Sequence, residues 1–88
     1  MKNQNAKDLL AILTCAKSCW KAYCEACEKF SNAESEEDVQ YYSTRSSEIH
    51  VAYRAYIHCY EILTDKSIAG CSQLDGELET VSNEVLLG

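Results

Sequence analysis

The sequence lacks proline altogether and has only three glycines, so few positions force a break in a helix. It also lacks a long apolar run: the stretch 9–13 near the N-terminus is far shorter than the about 20 residues that a membrane-spanning helix needs. Asp8 precedes that stretch, where a signal peptide carries positive charge. We therefore expect long helices, no membrane association and a cytoplasmic location, where cysteines stay reduced.

Positive charge is scarce in this chain. Eight Lys and Arg residues stand against 14 Asp and Glu, which gives a net charge of −6. Nucleic acids and anionic membranes both attract basic surfaces, so direct binding to either is not expected. With 88 residues, of which 47% are apolar and 25% charged, the composition is that of one globular domain, residues 1–88, with a thin core.

Apolar residues recur at helical spacing along three segments. The first predicted helix covers about 7–30, with the stripe Leu9, Leu13, Ala16, Trp20, Tyr23, Cys27 and Phe30. The second covers about 36–64 after a Ser35 cap, with the stripe Tyr42, Ser46, Ile49, Tyr53, Tyr56, Tyr60 and Leu63. A kink at the polar stretch 43–47 is an alternative. The third covers about 66–87, or starts at Ser72, with the stripe Ile68, Cys71, Leu74, Leu78, Val81 and Val85.

Short connections between these helices make neighbours antiparallel. The predicted fold is therefore all-α, a small antiparallel three-helix bundle in up-down-up order. The alternative is a two-helix hairpin that dimerises into four helices, with the third helix docked on it. Under that alternative, homodimerisation completes the bundle, since thin cores often gain stability by oligomerising.

The six cysteines are the most reactive residues in the sequence. Cys15 and Cys19 form a CxxxC step, and Cys24 and Cys27 form a CxxC step. At 100° per residue the two pairs lie on diverging parts of one helix, so they do not converge on a single ion. We expect no metal site and mostly buried free thiols; if a metal binds, these four cysteines are its ligands.

A further pair of cysteines is expected to meet across the second connection. If that turn lies near residues 65–66, Cys59 and Cys71 are level on facing antiparallel helices. Disulfides need their Cα atoms about 6 Å apart, which this arrangement permits.

The segment from Cys15 to Cys27 resembles the cysteine-rich helices of helical bundles that store copper, in which CxxxC steps point into the core. That resemblance implies copper held by thiolates. The second and third segments have one cysteine each, with Tyr and Leu at the positions that such a bundle would fill with cysteine. We therefore do not assign the chain to that family.

No catalytic motif is present: there is no Glu-x-x-His repeat and no glycine-rich phosphate loop. We expect no enzyme activity and no cofactor. Acidic charge is concentrated after residue 30, and residues 67–88 contain four acids and no Lys or Arg. Such a surface favours docking on a protein partner with a basic surface. The expected partner-binding residues are Glu36, Glu37, Asp38, Tyr41, Asp75, Glu77, Glu79 and Glu84.

The leading functional hypothesis is thus a small acidic protein-interaction module, acting as an adaptor, regulator or inhibitor. Proteins of this size and charge are frequent among inhibitors encoded by phages and mobile elements, and a nucleic-acid-binding protein is a fitting basic partner. The alternative is a thiolate bundle that binds copper or zinc or senses redox state. A self-assembling homo-oligomer is the third possibility.

Overall fold

A computed structural model describes residues 2–87 and contains three helices. They are α1 (Lys2–Ser31), α2 (Glu36–Thr64) and α3 (Cys71–Leu87), and no strand occurs within the described residues. Both α2 and α3 pack against α1. The predicted all-α three-helix bundle is confirmed, in a molecule measuring 52 × 21 × 19 Å.

The start of α2 follows the expected capping chemistry. The Ser35 hydroxyl accepts a hydrogen bond from the amide of Asp38 at 3.1 Å, and three acids occupy the first turn. The helix continues unbroken through 43–47, where the Ser46 hydroxyl donates to the carbonyl of Ser43. The predicted bounds of α2 are confirmed and the alternative of a kink is not realised. α1 begins at Lys2, earlier than the predicted start at 7.

The predicted start of α3 at residue 66 is wrong, because α2 ends in a cap that turns the chain. Asp65 adopts a left-handed conformation (φ 59°) and its amide bonds to the Glu61 carbonyl. The amide of Ile68 then donates to the Glu61 carboxylate at 2.9 Å, and the amide of Ala69 donates to the Gln73 side chain at 2.7 Å. These two amides bond to side chains, so regular helix begins only at Cys71, next to the alternative start at Ser72.

The same connection reverses the expected direction of α3. Trp20 packs on Tyr53 with ring centroids 5.2 Å apart, and Lys29 near the end of α1 lies over the Tyr42 ring near the start of α2, so α1 and α2 are antiparallel. Lys17, in the middle of α1, contacts Cys71 at the start of α3, whereas Glu77 contacts Tyr60 near the end of α2. The connection thus folds back along α2, and α3 runs antiparallel to α1 but in the same direction as α2. The up-down-up order is corrected in this respect.

The core lies where all three helices meet. Its buried residues are Leu13, Ala16, Tyr53, Ile57, Tyr60, Ile68, Leu74 and Val81. Ile57 was not in the predicted stripe, and three members of the predicted stripes, Phe30, Tyr56 and Leu63, are exposed. Phe30 lies at the end of α1 that α3 does not reach, and Leu63 lies on the side of α2 away from the core.

Candidate interaction surface

The predicted partner-binding residues fall into two groups that the structure places far apart. Glu36, Glu37, Asp38 and Tyr41 lie at the start of α2, beside the turn that joins it to α1. The other four lie on α3, which begins beside Lys17. From Lys17 to the end of α1 at Ser31 is about 21 Å at 1.5 Å per residue. The eight residues therefore do not form one surface.

Two of the four acids on α3 are engaged within the fold. Asp75 forms a salt bridge with Lys17 at 2.7 Å, and Glu77 forms one with Lys66 at 3.2 Å. Glu77 also accepts a hydrogen bond from the hydroxyl of Tyr60, whose side chain is fully buried. Glu79 and Glu84 are exposed and have no salt bridge with the side chains of residues 5–87. Half of the acidic surface predicted on α3 therefore holds α3 in place.

The ionisation of these groups reflects their contacts. The hydrogen bond from Tyr60, together with Lys66, holds the pKa of Glu77 below its ordinary value. Burial, with the hydrogen bond to Glu77, raises the pKa of Tyr60 well above that of a free tyrosine. The hydrogen bond to Asp75 raises the pKa of Lys17. At neutral pH Glu77 is therefore charged, and Tyr60 is a neutral donor.

The other group of acids lies on what we call the hairpin tip, residues 25–42. Glu36, Glu37 and Asp38 are exposed, and no salt bridge in the described part of the chain involves them. Tyr41 is 60% exposed. Residues 25–38 contain six acids and one lysine, so the tip concentrates negative charge on a surface whose side chains are free to contact a partner.

Two shallow openings lie on the hairpin tip. One, of about 390 Å³, is bordered by the exposed apolar side chains of Phe30 and Val39 with Glu34 and Glu36 beside them. The second, of about 540 Å³, is lined by Glu25, Glu28, Lys29, Asn32, Ala33, Glu34, Asp38 and Tyr42. Sequence reasoning missed Val39, which lies off the predicted stripe, and assigned Phe30 to the core. Apolar contact area and acidic charge thus occur side by side at the tip.

All six cysteines are free, as expected, but none is fully buried. Cys15, Cys24 and Cys59 are exposed, while Cys19, Cys27 and Cys71 are half-buried. The expectation of mostly buried thiols is therefore wrong. The CxxxC and CxxC steps fall on the borders of the packed face of α1, where the side chains reach solvent.

The expected meeting of Cys59 with Cys71 is also wrong. No Cα atom of α2 lies within 8 Å of one in α3, which is beyond disulfide reach. The prediction assumed a tight antiparallel turn between α2 and α3. The connection instead brings Cys71 beside Lys17 of α1, with Cys71 Sγ and Lys17 Nζ 3.8 Å apart. Across residues 2–87, His, Cys, Asp and Glu side chains form no group of three or more that could hold a metal ion.

Comparisons with protein-family models, with curated proteins and with solved structures found no match to this chain. In the part of the chain that the structure describes, no helix has the length and apolar character needed to cross a bilayer.

Proposed function

We propose that this chain is a protein-interaction module, acting as an adaptor, regulator or inhibitor without catalytic activity, and that it docks through the hairpin tip. The observation that carries the proposal is the exposure of Phe30 and Val39 in one opening, beside the carboxylates of Glu34 and Glu36. Apolar and aromatic side chains supply contact energy in interfaces, and charges around them set the orientation and choice of partner.

The charge of the tip specifies the class of partner. A surface with six acids and one lysine over residues 25–38 repels acidic proteins and attracts basic ones. We propose a protein partner with a basic surface, for which a nucleic-acid-binding protein of the cytoplasm is the fitting example. Binding then competes with the partner's own contacts to phosphate, which is how a small acidic module inhibits or regulates such a protein.

The test compares two double variants with the same change in charge. Glu36→Lys/Glu37→Lys reverses charge at the tip, and Glu79→Lys/Glu84→Lys reverses it on exposed positions of α3. A partner is first captured from an extract of the source cell with the wild-type chain, then purified and titrated against all three chains by calorimetry. Thermal unfolding of each variant checks that the helices remain folded.

We expect the tip variant to bind at least about tenfold more weakly, which corresponds to about 1.4 kcal/mol, and the α3 variant to bind like wild type. The wild-type affinity should also fall as salt is raised, because exposed charges are screened. Equal affinity of the tip variant and wild type would show that the tip is not the docking surface. A loss confined to the α3 variant would transfer the surface to α3.

A further inference from the structure

The chain exposes more surface than a compact monomer of its mass. A 9.9 kDa protein is expected to expose about 5,200 Å², whereas this one exposes 6156 Å², an excess of about 950 Å². Its radius of gyration is 15.5 Å, against about 12 Å for a compact chain of this length. An interface of standard size buries about 800 Å² of surface on each partner. The excess exposed area of this chain is therefore similar to the area that one such interface would bury.

The uncovered area includes what we call the far groove, which lies between α1 and α2 on the side away from α3. Its two openings, of about 300 and 220 Å³, share the lining residues Ala22, Arg45 and Ile49 and are therefore continuous. No residue of α3 lines either opening. A groove that α3 leaves open on a two-helix hairpin has room for further helices.

The two halves of the far groove differ in shape. Towards the tip its lining includes the small side chains Ala22, Ala26 and Ala52, which leave holes. Towards the other end Tyr56 is 37% exposed, and Leu63, seven residues later and so on the same face, is 61% exposed. Tyr56 lies one helical turn after Ala52, a lining residue of the groove, so it continues the same face of α2.

Charge is balanced in the tip half of the groove, because Arg45 and Lys29 line it together with Glu25 and Glu48. Charge therefore does not oppose a second copy there. If a second hairpin lies antiparallel in the groove, large side chains of each copy meet small ones of the other. A two-fold axis produces this arrangement from identical chains.

We infer that the far groove is the interface of a homodimer, in which a second copy of this chain packs antiparallel along α1 and α2. The partner supplies Tyr56 and Leu63 to the holes at Ala22 and Ala26, and the two hairpins form a four-helix layer with an α3 on each outer side. The tip half of the far groove shares Glu25, Lys29, Tyr41 and Tyr42 with the hairpin tip, whereas Leu63 lies at the opposite end of α2. A variant at Leu63 therefore tests the dimer without changing the proposed docking surface.

Leu63 and its neighbour Ile62 provide a matched pair of variants. Both side chains are well exposed in the single chain, at 61% and 68%, and adjacent helical residues point about 100° apart. Leu63→Glu places a charge in the groove, while Ile62→Glu places the same charge outside it. Because neither side chain contributes to the core, both variants are expected to fold, which circular dichroism verifies.

Sedimentation equilibrium of the full chain measures the dimer directly. We expect wild type and Ile62→Glu at about 50 µM to have twice the 9.9 kDa chain mass. Leu63→Glu should dissociate at least about tenfold more readily and sediment as a monomer. A wild-type mass of 9.9 kDa up to about 1 mM would overturn the inference, as would equal dissociation of the two variants.

Thiol alkylation followed by mass spectrometry provides a second readout from the native cysteines. Cys15 and Cys24 are both exposed in the single chain, but Cys15 lies one helical turn before the groove residue Cys19, whereas Cys24 lines neither opening. At concentrations where the dimer forms, Cys15 should react several-fold more slowly than Cys24, and the Leu63→Glu variant should remove that protection. Equal rates for the two cysteines at every concentration would contradict a second copy in the groove.

Discussion

The hydrogen bond from Tyr60 to Glu77 offers the sharpest test of how α3 is held. Tyr60 is 1% exposed and its hydroxyl reaches the carboxylate of Glu77 across the boundary between α2 and α3. Since no Cα atoms of these two helices approach within 8 Å, this side-chain contact is a main link between them in the described chain. Tyr60→Phe removes the hydroxyl oxygen while keeping the ring that fills the core.

The magnitude follows from the environment of both groups. A hydrogen bond to a charged group contributes about 1.5–3 kcal/mol, and here the donor is buried while the side chain of Glu77 is 22% exposed and keeps Lys66. We take the lower end, about 1.5 kcal/mol. For a domain of this size, each kcal/mol shifts the melting temperature by about 4–8 °C. Tyr60→Phe should therefore melt about 6–12 °C lower.

The dependence on pH has a defined sign. The pKa of Glu77 is lowered from 4.5, mainly by the Tyr60 hydrogen bond, so its contribution is present above pH 4.5 and is lost as pH falls through the folded value. Burial raises the pKa of Tyr60 from 10.0, so above pH 10 the unfolded chain loses this proton first and stability falls. The difference between wild type and Tyr60→Phe should be largest from about pH 5 to 9.5.

Urea unfolding of Tyr60→Phe, Glu77→Gln and the double variant forms a thermodynamic cycle that isolates the pair. We expect a coupling free energy of about 1 kcal/mol at pH 7 that shrinks towards pH 3. A Tyr60→Phe variant as stable as wild type within about 0.3 kcal/mol would refute the reasoning, because α3 would then not depend on this bond. A coupling that is the same at pH 3 and pH 7 would show that ionised Glu77 is not the acceptor.

Two substitutions at helix positions give further expected outcomes. Gly76→Ala should stabilise the protein by about 0.5–1 kcal/mol in urea unfolding, because a Cβ atom there meets nothing within 4 Å and alanine favours helix. A loss of stability would mean that α3 packs more closely at this position. Ser35→Ala should cost about 1 kcal/mol by removing the acceptor for the Asp38 amide, and an unchanged melting temperature would show that water replaces the cap.

Local signals in the sequence are sufficient for the helices but not for their arrangement. The Ser35 cap and the acids that follow it start α2 where predicted, because capping depends on neighbours in the chain. The direction of α3 depends on bonds from Ile68 and Ala69 to the side chains of Glu61 and Gln73, which amphipathic spacing does not encode. The predicted tight turn near residues 65–66 implied an α3 antiparallel to α2, whereas the left-handed Asp65 begins a connection of six residues.

The sequence predicted only part of the candidate interaction surface at the hairpin tip. The acidic run at 36–38 is exposed as expected, because charges in the first turn of a helix favour solvent and the positive helix end. Phe30 was assigned to the core, because whether an apolar residue on a stripe is buried depends on which helix covers it. Val39 was missed because it lies off the predicted stripe. α3 starts beside Lys17, so the last turns of α1 have no third helix over them.

Uneven charge along a sequence indicates a binding partner only for those charged residues that form no salt bridge within the fold. Residues 1–30 carry a net charge of +2 and residues 67–88 carry −4, and part of this asymmetry is used when α3 packs antiparallel to α1. Lys17 pairs with Asp75, and Lys66 pairs with Glu77. Residues 25–38 keep a net charge of −5 with no salt bridge in the described chain. Apart from Glu79 and Glu84 on α3, the hairpin tip is therefore the acidic surface that these salt bridges leave available to another protein.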